Sequence, residues 1–273
     1  MLDFQPVYLD FKVDSKPRYG WGNPPHELLY KIINNNRNQY ISLTNRFLDY
    51  SSHLATIPIE KPDDTTAPYW HNTYFGGLNA VALYCFPCLL GSRLYVEIGS
   101  GNSTKFVRRS IIDNGLPTKI VSIDPTPRAE IDEICDEVIR EPLERIDTDL
   151  FADLHDGDIL MIDGSHRCLQ NSDVVVIFLE ILPKLNPGVL IYFDDIYLPY
   201  DYPPEWGDRY YSEQYMLATL LLSDDRKRYE IVLPHIFMNR DKELNLMVSE
   251  FWKEVGIDGG IGNGMWIRVR STE

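Results

Sequence analysis

In the second two-thirds of the chain, short apolar runs stop abruptly on acids or glycines. Leu94, Val96 and Ile98 lead into Gly99-Ser100-Gly101, and Lys119–Ile123 leads into Asp124. Asp158–Ile162 ends on Asp163, and Val189–Phe193 ends on the pair Asp194-Asp195. Brief, nearly uninterrupted apolar runs bounded by turn residues read as strands covered on both faces, as in a parallel sheet. Between them the apolar spacing becomes helical, at Ser103–Asn114, Arg128–Cys135, Asp147–Leu154, Ser172–Leu185 and Tyr210–Leu222. A further short strand is expected near Glu137–Arg140, and Glu230–Leu233 and Met265–Val269 close the chain as strands. Strands alternating with helices predict an α/β fold, with a doubly wound, mostly parallel, seven-stranded sheet of Rossmann-like type.

Residues 1–92 read differently. They form an N-terminal extension rich in Tyr, Asn and Pro, with helical spacing at His26–Asn34, Tyr40–Leu54 and Gly77–Leu90. Pro58, Pro62 and Pro68 mark a loop, and the aromatic run Tyr69–Phe75 has the composition of a lid or of packing. The sequence thus divides into the extension, a candidate lid or oligomer contact, and a sheet-forming unit over 93–273. The glycine-rich run at 258–264 precedes a strand, not a helix, and reads as a flexible connection.

Composition narrows the function classes. The 273 residues are 44% hydrophobic and 12% aromatic, enough for a sizeable core. The net charge is -15, from 26 basic and 41 acidic residues, which argues against a nucleic-acid partner. No long uncharged apolar run predicts a membrane span, and Met1–Pro6 lacks the features of a signal peptide, so a cytoplasmic location is expected. Cys85, Cys88, Cys135 and Cys168 do not form a disulfide framework and read as structural thiols.

The candidate chemistry starts at the glycine turn. A strand, a glycine turn and a helix start form a cradle for a nucleotide-like cofactor. Dinucleotide sites require a third glycine at the position held here by Thr104, and Glu97 would sit where a pyrophosphate needs positive potential. Both features count against an NAD-dependent oxidoreductase. On charge alone, Glu97 and Asp163 suit a cationic ligand, and Asp124 at the end of the second strand can hold ribose hydroxyls.

Glu97-Ile98-Gly99-Ser100-Gly101, followed by Asp124, resembles the cofactor half of class I S-adenosylmethionine-dependent methyltransferases, over about residues 93–270. The resemblance implies that Gly99, Ser100, Gly101 and Asn102 hold the methionine moiety, that Asp124 holds the ribose, and that Glu141 and Pro142 lie near the adenine. The run from this turn through Tyr211-Ser212-Glu213-Gln214-Tyr215 also resembles a group of bacterial methyltransferase-like proteins.

Beyond the fourth and fifth strands, Asp163, Asp194 and Asp195 form a trio of hard oxygen ligands suited to Mg²⁺ or another divalent metal. His166, three residues after Asp163, is placed to take a proton from a substrate hydroxyl. These four residues resemble those of metal-dependent O-methyltransferases of the catechol type and, more closely, of the macrocin-like sugar O-methyltransferases. Tyr211, Glu213 and Gln214 are the expected substrate contacts. The expected activity is O-methylation of a small hydroxylated molecule such as a sugar, by a chain that is a candidate homo-oligomer. A non-catalytic cofactor-binding protein is the alternative from outside the enzymes.

Overall fold

The computed structural model describes residues 7–224, 227–257, 259–260 and 262–271. Met1–Pro6, and Asp258 and Ile261 of the glycine-rich connection, lie outside the described residues.

Among the described residues, four helices precede the first strand: α1 (Glu27–Asn34), α2 (Arg37–Phe47), α3 (Ser51–Leu54) and α4 (Gly77–Leu90). The predicted Tyr40–Leu54 helix is thus broken by a tight turn at Leu48–Tyr50. α4 matches its expected bounds and ends at Gly91, whose left-handed φ of 61° closes the helix. Almost every residue of α4 is buried because the helix lies inside the protein and not on its surface. Phe47 of α2 meets Phe86 of α4 edge-on, at 5.5 Å between ring centres. The extension and the sheet therefore share one apolar core. Each fully buried Leu or Val of α4 contributes about 1.5–3 kcal/mol.

The sheet has seven strands: β1 (Leu94–Ile98), β2 (Lys119–Ile123), β3 (Glu137–Ile139), β4 (Ile159–Ile162), β5 (Leu190–Phe193), β6 (Tyr229–Pro234) and β7 (Met265–Val269). Their order is β3-β2-β1-β4-β5-β7-β6. Only β7 runs antiparallel to its neighbours β5 and β6. The expected doubly wound, mostly parallel sheet is therefore present.

Four helical expectations in the sheet-forming unit change. The Arg128–Cys135 helix is only a short 3-10 turn at Asp132–Ile134. Thr148–Asp153 is likewise a 3-10 turn. After α5 (Asn102–Asn114), the helix at 173–184 begins as α6 (Asp173–Val176), capped by Ser172, and passes through a wider turn at Ile177–Ile181. α7 runs over Glu213–Leu222 and not from Tyr210, which adopts a left-handed φ of 52°. Two helices between β6 and β7 were not anticipated, α8 (His235–Arg240) and α9 (Lys242–Val255). The Asp241 carboxylate caps α9.

Register places the site. Ile98 stands opposite Ile123 and Ile162, and Ile162 stands opposite Phe193. The next residues along are Asp124, Gly99, Asp163 and Asp194, in one row across the carboxyl edge. Winding reverses between β1 and β4, which is where an open α/β sheet binds its ligand.

Candidate active site

At the reversal, Gly99 has φ +81°, and a Cβ there would lie 1.8 Å from the Asp163 carbonyl oxygen. Only glycine allows β1 and β4 to approach this closely. The Gly99 N–H donates to Ile123 O at 2.9 Å and the Asp163 N–H to Ile98 O at 2.8 Å, so the ladder continues one residue past the strands.

A cavity of about 530 Å³ opens over this row. Gly99, Ser100, Asp124, Pro142, Asp163 and Ser172 are among the residues on its wall. The Asp124 carboxylate accepts the Ser100 N–H at 2.9 Å and the Thr126 N–H at 2.7 Å, and so is held at the rim in a fixed orientation. The volume falls within the usual range for small-molecule sites. Glu97, Gly101 and Asn102 are not on this wall. Glu97 is fully buried and accepts from Thr104 Oγ1 at 2.5 Å and from the Tyr95 hydroxyl at 3.0 Å. Burial pushes its carboxyl up to about 7, while those hydrogen bonds act in the opposite direction.

Beyond β4 and β5 lies a cluster centred on His166. Its Nε2 is 3.2 Å from Asp163 Oδ1 and 3.4 Å from Asp195 Oδ2, and its Nδ1 is 2.8 Å from Glu213 Oε2. The ring is 4% exposed, and the Tyr211 ring packs 4.7 Å from it. The His166 carbonyl accepts the Ser212 and Glu213 N–H groups, tying this loop to the start of α7. Burial on its own would lower the imidazole's proton affinity, but the bonds to Asp163 and Glu213 outweigh it and hold the value well above the ordinary one. Asp195 is raised by burial, against the pull of His166.

Asp194 faces another way. Burial first, and then the charges of Asp163 and Asp195, raise its carboxyl well above the usual range. Its Oδ1 accepts from the Tyr192 hydroxyl at 2.5 Å and from Asn79 Nδ2 at 3.1 Å. Asn79 Nδ2 also donates to Asn263 Oδ1, and Asn263 Nδ2 donates to Asp195 Oδ1 at 2.6 Å. His235 Nδ1 donates to Asn79 Oδ1, and burial lowers this histidine to about 3, so it is neutral. Asn79, Asn263 and His235 were missed from sequence, although an amide within the apolar helix 77–90 was a readable signal.

The three expected metal ligands do not converge. Asp194 is turned towards Tyr192 and Asn79, while an imidazole nitrogen bridges Asp163 and Asp195. Among the described residues, no group of three or more His, Cys, Asp or Glu side chains is arranged to hold a metal ion. The donor set does not fit a divalent ion as it stands.

The expected substrate contacts are also placed elsewhere. Glu213 and Gln214 are fully buried. Gln214 Oε1 accepts the Tyr197 N–H at 2.9 Å and so shapes the loop after β5. Because α7 begins at Glu213, both side chains fall in its first turn and point inward. Tyr211 borders a smaller hollow of about 230 Å³.

A second large cavity, of about 770 Å³, lies beside the cluster. Trp21, Trp70, Tyr197 and Arg240 are on its wall, together with Asn79 and Asn263, the two amides that reach Asp194 and Asp195. Arg240 lies over the Trp21 ring at 4.1 Å and over the Tyr200 ring at 4.8 Å. The two cavities approach each other where Arg128, on the wall of the first, lies 5.5 Å from the Tyr74 ring, on the wall of the second. No helix among the described residues is long and apolar enough to cross a membrane.

Residues 96–196 match the family model of a methyltransferase domain. The match runs from β1 to just past β5 and includes Gly99, Asp124, Asp163, His166, Asp194 and Asp195. No curated protein matches the chain in sequence. Among solved structures, a candidate O-methyltransferase from Klebsiella pneumoniae is similar at 12% identity and TM-score 0.45, over 89% of this chain and 100% of that one. The Podospora anserina methyltransferase PaMTH1, with SAH bound, aligns at 14% identity and TM-score 0.43, over 84% of this chain and 88% of that one. The plantazolicin methyltransferase BpumL, in complex with SAH, aligns at 13% identity and TM-score 0.40, over 85% and 99%.

Proposed function

On the premise that residues 96–196 are a class I, S-adenosylmethionine-dependent methyltransferase domain, we propose that the chain transfers a methyl group to a hydroxyl of a small polyhydroxylated molecule such as a sugar. The observation that carries this reading is the coincidence of the domain match with the 530 Å³ cavity at the sheet reversal. A nicotinamide dinucleotide is disfavoured because Thr104 is bonded to Glu97 where that site needs a third glycine.

S-adenosylmethionine supplies a methyl group on a sulfonium. In this reading Asp124 takes the ribose hydroxyls, Gly99 and Ser100 border the methionine moiety, and Pro142 with Leu143 lies against the adenine. The acceptor occupies the 770 Å³ cavity, whose wall combines Trp21, Trp70 and Tyr197 with the amides of Asn79 and Asn263, a composition suited to a sugar.

Asp163 is the most open member of the cluster, with its side chain 30% exposed, and it alone of the four lies on the cofactor-cavity wall. With cofactor and acceptor bound, Asp163 would accept the acceptor's hydroxyl proton as the oxygen–methyl bond forms and the methyl–sulfur bond breaks, S-adenosylhomocysteine being the leaving group. His166 was expected to be the base, but both its nitrogens already face carboxylates. Its role is to orient Asp163 and Asp195, and aligning the two reactants is the larger part of the task.

Calorimetric titration with S-adenosylmethionine tests the cofactor. Binding at micromolar ligand is expected; no heat and no thermal shift at millimolar ligand would rule the reading out. The four free cysteines suit a reducing compartment, and we place the protein in the cytoplasm.

A further inference from the structure

We propose that the His166 imidazole is a resident substitute for the divalent metal, filling the position between Asp163 and Asp195 that an ion would take, and that its removal uncovers a metal site. The inference rests on the methyltransferase reading of this cluster.

The distances are those of hydrogen bonds, not coordination. Nε2 lies 3.2 Å from Asp163 and 3.4 Å from Asp195, whereas a Mg²⁺ held by both oxygens would stand about 2.0–2.1 Å from each. The nitrogen therefore occupies the gap between the two carboxylates, and no ion fits there while the ring is present.

The ring is also fixed in place. Nδ1 is anchored at 2.8 Å by Glu213, a fully buried carboxylate from a different element, 47 residues away in sequence. The His166 backbone adopts φ +58°, unusual for a residue with a side chain, and its carbonyl holds the first N–H groups of α7. For the ring to swing aside, Glu213 would have to become a fully buried carboxyl group with no partner, which burial makes costly. Glu213 Oε1 already lacks a partner, so the imidazole is the only hydrogen-bonding partner of this side chain among the described residues.

The arrangement also divides the metal's usual tasks. An imidazole N–H between two carboxylates relieves their repulsion and holds them in place, but it offers the substrate oxygen no open coordination position. Orientation of the acceptor therefore falls to the cavity wall, and deprotonation falls to Asp163.

The test uses Mn²⁺ alone on the full-length protein, freed of metal by chelator and desalting. The wild-type protein is expected to give no stoichiometric Mn²⁺ binding by calorimetry and no thermal shift with Mn²⁺ or Mg²⁺. In H166A the position is empty, but Glu213 is left unpaired, so the double variant H166A/E213Q is prepared alongside. The double variant is expected to bind one equivalent of Mn²⁺ at least about tenfold more tightly than wild type. Adding D195N should remove that binding. Sub-millimolar, one-to-one Mn²⁺ binding to wild type that is lost in D195N would overturn the proposal. A folded double variant that binds no Mn²⁺ would overturn it as well. S-adenosylmethionine binding measured on the same samples reports separately on the methyltransferase reading.

Discussion

The Thr104 hydroxyl donates to the Glu97 carboxyl at 2.5 Å and accepts the Gly101 N–H at 3.1 Å. One side chain thus clasps the end of β1 to the first turn of α5. All three groups are enclosed, so none can turn to water when its partner is lost. Thr104→Val preserves shape and volume but leaves the Gly101 N–H unpaired and Glu97 short of a donor. The variant should lose about 1–3 kcal/mol of stability by denaturant titration. Thr104→Ser should recover most of it. A valine variant as stable as wild type would show that the clasp contributes nothing.

Glu97 makes stability pH-dependent in a defined direction. Its folded value of about 7 stands above the ordinary 4.5. The folded state therefore holds this proton where the unfolded chain has released it, and stability falls as pH rises from about 4.5 to about 7. The full effect amounts to about 3 kcal/mol. Glu97→Gln keeps an uncharged group in the same space and removes the effect. The melting-temperature advantage of the variant over wild type should grow from pH 5 to pH 7 and then level off. Parallel curves for the two proteins would mean that Glu97 is charged throughout.

The sheet was legible in the sequence because buried parallel strands are apolar runs with sharp polar ends. The residues at those ends, Asp124, Asp163 and Asp194, fall in one row once register is set. Local backbone behaviour was less legible. Tyr210 and Asp195 adopt left-handed conformations that their residue types do not announce. α8 was hidden by Pro234 and the polar residues Asn239 and Arg240, although α9 carries a readable stripe at Leu244, Val248, Phe251, Trp252 and Val255. In the site, the pairing of His166 with Glu213 joins a loop to the first turn of α7, which no local pattern connects. Asp163 and His166 were found because spacing placed them together. Glu213 was expected to contact substrate because a carboxylate in an aromatic run beside the site edge resembles a binding surface, yet it lies wholly inside.

Gly99 is the position least tolerant of change. Gly99→Ala would put a Cβ 1.8 Å from the Asp163 carbonyl oxygen in a residue held at φ +81°. Neither the clash nor the backbone strain can be relieved without separating β1 from β4. A loss of about 3 kcal/mol or more is expected, near the top of the range for single substitutions. Gly76→Ala is the control, because its backbone is extended, with φ −154°, and a Cβ there meets only the Trp70 carbonyl oxygen at an ordinary 3.5 Å. It should fold normally. Thermal denaturation of the two variants side by side checks the contrast, and equal midpoints would contradict the close approach of the two strands.

The N-terminal arm is fastened to the second cavity by one carboxylate. Asp201 Oδ2 accepts the Arg18 and Tyr19 N–H groups at 2.6 and 2.9 Å, and the Asp201 carbonyl accepts the Trp21 indole N–H at 2.9 Å. Trp21 then forms part of the cavity wall beneath Arg240. Asp201→Ala removes the two charge-assisted bonds, each worth about 1.5–3 kcal/mol, together with the Tyr215 hydroxyl's bond to Oδ1 at 3.1 Å, while the backbone bonds of residue 201 to Tyr19 and Trp21 remain possible. The arm around residues 18–22 should exchange its amide hydrogens faster and become open to proteolysis. The cofactor cavity contains neither Asp201 nor the arm, so affinity for S-adenosylmethionine should stay within about twofold of wild type, equivalent to less than about 0.5 kcal/mol. Once an acceptor is identified, its KM should rise while its kcat changes little, because a displaced Trp21 weakens binding without disturbing Asp163 or His166. A variant that lost cofactor affinity in step with arm protection would show that the arm supports the whole fold and not the acceptor cavity alone.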